Sequence, residues 1–175
     1  MKKLPRLRPA TPETRRRLLV AVTVAAPVAW TFLPILAFKV LLITLFPVSG
    51  WKLVLIHPAM LWPYVLMAAQ LYAVLKRKPA LSLILPVIMI ITCVAVGLSR
   101  ENIILNGNIP WLYNHAVRLT ELLTGSVINE DVFTEQLTEV CDRSLKIGGG
   151  LYFIILLNAA SLLLQRKDLV RVRRD

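Results

Sequence analysis

The chain has 175 residues, 57% of them hydrophobic, with a formal net charge of +11 and a pI near 10.3. Soluble domains average about 45–50% apolar residues, and this length holds one small bundle with no separate soluble domain. A pI this high is the usual footprint of a nucleic-acid binder, but the placement of the charge argues against that reading. Segments 1–17, 76–78 and 165–175 together hold fifteen Lys and Arg against three Asp and Glu, whereas the rest holds six against seven.

Positive charge is retained on the cytoplasmic face of a membrane, so three basic clusters on one side require an even number of crossings between each pair. Two apolar stretches lie between the first two clusters and two between the last two. The expected fold is an all-α membrane protein: a bundle of four transmembrane helices with both termini cytoplasmic, in one integral domain spanning residues 1–175. Its clusters would face the anionic headgroups of a bacterial inner membrane, a multi-pass location in which each basic residue contributes about 1 kcal/mol near the surface.

In chain order, 1–17 is a basic, proline-rich cytoplasmic tail. The uncharged run Leu18–Phe38 is too long for a signal h-region of about 7–15 residues and is expected to be an uncleaved first helix. Pro27 and Pro34 lie on roughly the same face, tolerable where neighbouring groups satisfy the freed carbonyls. Lys39 divides this first region (18–46). Either the helix ends there and an interfacial segment follows, the favoured reading, or it continues to Phe46 while Lys39 snorkels outward.

Pro47-Val48-Ser49-Gly50 is turn chemistry. The second helix is expected over Leu53–Leu75, with Pro58 and Pro63 in its outer half and Trp51 and Trp62 at the interface, where aromatic residues collect. Lys76-Arg77-Lys78 stops it. Pro79 then opens a third helix, 79–98, at a favoured first-turn position.

Residues 99–146 form the extracytoplasmic loop, with two short amphipathic helices. One is capped by Asn108, has Pro110 in its first turn, and carries Trp111, His115, Leu119, Leu122 and Leu123 until Gly125. The other runs from Glu130 to Leu145 with Val132, Phe133, Leu137, Val140, Cys141 and Leu145 as its apolar stripe. Gly148-Gly149-Gly150 is either a hinge or a close-packing surface, and packing is the favoured reading. The fourth helix is expected over 147–164, and 165–175 is a second basic cytoplasmic tail.

Ionisable groups inside a bilayer are costly and mark function, yet the expected spans carry no carboxylate and few polar side chains, among them Gln70, Thr92, Cys93, Asn158 and Ser161. Gln70 and Asn158 are candidates for a cross-helix hydrogen bond acting as structural glue. His57 and His115 have no second ligand at metal-binding spacing, and no phosphate loop, nucleophile elbow or catalytic carboxylate pair appears. No catalytic, cofactor-binding or metal-binding residue is assigned. Cys141 lies on an apolar stripe and Cys93 within the third helix, so both are expected to be free thiols.

Four helices, internal termini and a long outer loop before the last helix make a layout that resembles the quinone-linked disulfide-forming oxidases of bacterial inner membranes. That family works through an outward Cys-x-x-Cys pair and a second pair in the loop. With Cys93 and Cys141 alone, the resemblance covers layout and does not extend to thiol oxidation. In size and topology the chain is also similar to the small inner-membrane immunity proteins that protect bacteria against pore-forming colicins, without a shared motif. The expected function is non-enzymatic: an accessory, regulatory or immunity-type subunit with a membrane or periplasmic protein partner. The alternatives are an oligomeric transport or channel component, in which Pro27, Pro34, Pro58 and Pro63 shape a path, and a lipid- or quinone-using enzyme.

Overall fold

The computed structural model of the protein describes residues 11–40, 43–108, 110, 114, 137, 139 and 141–172, with the side chains of 40, 43, 45 and 166–172 excepted. It is mostly helical. Helix α1 spans Pro12–Phe32, opened by Thr11, whose hydroxyl oxygen accepts from the Thr14 amide at 3.3 Å. This is capping chemistry, with Pro12 at the first helical position.

The helix does not reach Phe38. Leu33 takes an extended conformation (φ −79°, ψ 149°) immediately before Pro34, because the ring of a following proline disfavours the α region for its predecessor. The chain continues as strand β1 (Pro34–Val40) and strand β2 (Ile43–Ser49). Both expectations for Lys39 are thereby corrected: it lies in a strand, opposite Thr44. Reading Pro34 as a tolerated kink missed the restriction it places on Leu33.

β1 and β2 pair antiparallel, from Pro34 opposite Ser49 to Val40 opposite Ile43, with irregularities between Pro34 and Leu36 and between Phe38 and Lys39. Pro47 cannot donate to a ladder and occurs on an edge strand, as expected for its chemistry. A short third strand, β3 (Leu145–Ile147), adds to the other side of β1, so the order is β2-β1-β3 and β1 is central. The run Ile35–Phe38 is buried throughout, as a strand enclosed on both faces would be.

The expected second helix is likewise interrupted by a proline. Helix α2 (Gly50–Ile56) stops at His57, which is extended (φ −139°, ψ 106°) before Pro58. A 3-10 turn (Pro58–Leu61) and helix α3 (Trp62–Leu75) follow. Helix α4 spans Pro79–Leu98, the bounds expected from sequence, and a short helix α5 covers Arg100–Leu105. The final helix, α6, runs Gly149–Val172, well beyond the Leu164 expected.

α1 packs on α3 and α6, and α4 packs on the same two, so the four long helices form a ring. Successive members run in opposite directions. The sheet, α2 and α5 gather at one end, and Thr11, the Lys76–Lys78 turn and Gln165 at the other. These are called the sheet end and the basic end below. The 3-10 turn with α3 (Pro58–Leu75) and α4 are long and apolar enough to cross a membrane, and Gly149–Gln165 is a shorter apolar run.

Residues 137, 139 and 141–144 are helical, in keeping with the second loop helix, but Leu145 belongs to β3. The first loop helix lies outside the described residues apart from Pro110 and Asn114. Both are helical, and Asn114 Nδ2 donates to the Pro110 carbonyl at 3.0 Å.

Candidate functional site: a cavity at the basic end

The basic end contains a cavity of about 380 Å³ between α1, α3, α4 and α6. Its walls include Leu19, Ala73, Val74, Leu83 and Leu164, and its most buried polar members are Ser82 and Gln165. Arg15, Arg16 and Arg77 also line it; Arg15 is half-buried and the other two are exposed, which puts them at the rim. An apolar pocket with a few polar groups is the usual form of a small-molecule site.

The floor is held together by a proline. Pro86 lies inside α4 and has no amide hydrogen to give to the carbonyl four residues earlier, that of Ser82. Gln165 of α6 replaces it: Nε2 donates to the Ser82 carbonyl at 3.0 Å and to Ser161 Oγ at 3.0 Å. The Ser82 hydroxyl donates to the Pro79 carbonyl at 3.0 Å. These floor donors are therefore spent within the protein.

The rim differs. Among the described residues none of Arg15, Arg16 and Arg77 has a carboxylate partner, while Arg17 pairs with Glu13 at 2.7 Å outside the cavity lining. Arg77 ends α3 in a Schellman turn, with Lys78 N donating to the Ala73 carbonyl at 2.9 Å and Arg77 N to that of Val74 at 3.3 Å. Its φ is +54°, the left-handed conformation that this position requires and that glycine normally supplies. A side chain there costs about 1–2 kcal/mol. Strain of this kind clusters at functional sites.

Asn158 and Ser161 continue the buried face of α6 that begins at Gln165, and Thr23 of α1 and Gln70 of α3 are buried too. The expected Gln70–Asn158 bond does not form. Asn158 Nδ2 donates to the Ile154 carbonyl of its own helix at 2.9 Å, and Oδ1 has no partner. Of the three glycines, Gly148 and Gly150 pack against the α1–β1 junction. A Cβ on Gly148 would overlap the Pro34 carbonyl, and one on Gly150 would lie 2.7 Å from Leu33 Cβ, whereas Gly149 meets nothing. The packing reading is right for the outer two and wrong in partner, since they meet a strand start as well as a helix end.

His57 sits at the break between α2 and the 3-10 turn, half-buried, with Nδ1 buried and unpartnered. His115 lies outside the described residues. Cys93 and Cys141 are free and buried, and among the described residues no group of His, Cys, Asp and Glu is placed to hold a metal. Sequence reading took Lys76-Arg77-Lys78 as a helix stop and as a basic cluster that fixes topology, and missed that Arg77 shares one cavity lining with Arg15 and Arg16. The available signal was an arginine where a helix of this kind closes on glycine. Compared with known proteins, the chain matches no family model, no curated protein and no solved structure.

Proposed function

We propose that this is a multi-pass protein of a bacterial inner membrane, crossing it four times with the basic end in the cytoplasm and the sheet end outside. It acts by binding a partner rather than by catalysis, as an accessory, regulatory or immunity-type subunit. The observation that carries this reading is an apolar surface over a core that holds several polar side chains. Large apolar side chains are exposed on all four long helices, among them Val24 and Val28 on α1, Val65 on α3, Ile84 and Ile91 on α4, and Leu156 and Leu163 on α6. Buried between those helices are Thr23, Gln70, Ser82, Asn158, Ser161 and Gln165.

An exposed apolar surface of this extent calls for lipid or another protein. At 20 residues, α4 is about 30 Å long, the thickness of a hydrocarbon core. Exposed Trp51 and Trp62 at the sheet end and Tyr72 at the basic end suit the two interfaces. The buried amides and hydroxyls favour packing over chemistry, since none of them titrates.

Reporter fusions test the topology. Fusions after residues 78 and 170 are expected to report cytoplasm, and fusions near 50 and 125 export; a cytoplasmic reporter at 125 overturns the reading. For the binding role, crosslinking in native membranes is expected to recover a distinct partner. Recovery of a homo-oligomer alone supports a channel component instead.

A further inference from the structure

We propose that the cavity at the basic end binds the phosphate of an anionic phospholipid, its rim arginines holding the headgroup and its apolar walls receiving the start of an acyl chain. The inference rests on the membrane reading above, which sets the basic end at the level of the inner headgroups.

The donor inventory selects the ligand. Ser82 Oγ and Gln165 Nε2 have given their hydrogens to protein acceptors, so the floor does not attract an anion. The guanidinium groups of Arg15, Arg16 and Arg77 are without carboxylate partners among the described residues, and arginine forks match phosphate oxygens two at a time. Basic pockets between helix ends on the cytoplasmic side are a form in which phospholipid headgroups are held.

Two further features act in the same direction. α1 and α4 both begin at this cavity, with Pro12 and Pro79 in its lining, so two positive helix ends outnumber the one negative end, that of α3, beside it. α4 has no side-chain cap there. Arg77 also holds a backbone conformation in which glycine would be more stable, and presenting its charge at the rim is what the arginine adds. The volume of about 380 Å³ accommodates a headgroup and a chain segment, not a whole lipid.

The test is native mass spectrometry of the full chain in non-ionic detergent, titrated with phosphatidylglycerol, with phosphatidylcholine of the same chains, and with inorganic phosphate as competitor. Phosphatidylglycerol is expected to bind at least about tenfold more tightly than phosphatidylcholine, and Arg77→Gly and Arg16→Gln each to weaken it about tenfold, the worth of one charge-assisted hydrogen bond. Arg17→Gln, outside the cavity, is expected to change binding less than about twofold. Because glycine suits the turn, Arg77→Gly is also expected to raise the melting midpoint by about 2–4 °C, so lost binding is not misfolding.

Equal binding of the two lipids overturns the proposal, and so does an Arg17→Gln loss matching that of Arg77→Gly, which would indicate diffuse surface charge. Displacement of the lipid by equimolar inorganic phosphate assigns the site to free phosphate and also overturns it. The reporter fusions judge the membrane reading separately, so arginine-independent binding with intact topology removes the cavity assignment alone.

Discussion

The two ends of the bundle are built on opposite plans. The sheet end is closed by backbone: Gly148 N donates to the Ile35 carbonyl at 2.8 Å and Asn108 N to that of Ile56 at 2.6 Å. Three strands cover it, and Ile35, Leu36, Val48 and Leu145 are fully buried. Among the described residues the basic end is bridged by the Gln165 side chain and holds a charged cavity, with Arg77 strained at its rim. A backbone lattice sets register and leaves no room for a side chain where backbone meets backbone, as at Gly148. An end held by a side chain leaves room for a ligand and for arginines with donors to spare.

The largest effect that this contrast predicts lies at the glycines. Gly148→Ala is expected to lower stability by about 3 kcal/mol, because the colliding atom is backbone and cannot turn away. Gly149→Ala is expected to stay within about 0.5 kcal/mol. Thermal unfolding in detergent compares them, and equal losses at both positions would break the picture of a close-fitted sheet end.

Next comes the closure of the basic end. Gln165→Leu is expected to cost about 2 kcal/mol, leaving the Ser82 carbonyl without a partner. Pro86→Ala restores an amide hydrogen to that carbonyl, so its stabilising effect should be larger by about 1 kcal/mol in the Gln165→Leu background than in the wild type. A double-mutant cycle with no coupling would show that α6 does not serve the break in α4.

The smallest effect concerns Cys141 at the sheet end. Burial, with a lesser contribution from the charge of Glu101, pushes its thiol from 9.0 up to about 11. The unfolded chain releases this proton near pH 9, whereas the folded chain holds it. Stability is therefore full below pH 9 and declines as pH rises toward 11. The slope of melting midpoint against pH over that window should be shallower in Cys141→Ala, and an identical slope would mean that the thiol is not enclosed.

What was legible in the sequence follows the same division. α4 was readable to the residue, because Pro79 starts it and an uncharged, largely apolar run carries it to Leu98. The inward face of Cys141 was readable from its spacing to Leu137, and both are buried. The sheet was not foreseen. A helical apolar run and a buried strand look alike in hydropathy, and the deciding residues, Leu33 and His57, act only through the prolines that follow them. The cavity was hidden for another reason. Arg77 lies about sixty residues from Arg15 and Arg16 in sequence, and its conformation belongs to the turn rather than to its own propensity.

The central place of β1 also imposes an order in time. Its partner β2 follows within a few residues, but β3 pairs Ile147 with Leu36, after more than four-fifths of the chain has been made. During synthesis one edge of β1 waits unpaired, an invitation to wrong pairing, while α3, α4 and the loop emerge. Sealing of that edge coincides with the arrival of Gly148 and the first turn of α6. Completion of the sheet therefore waits on Leu145–Ile147, and no nascent form that stops short of β3 can reach it.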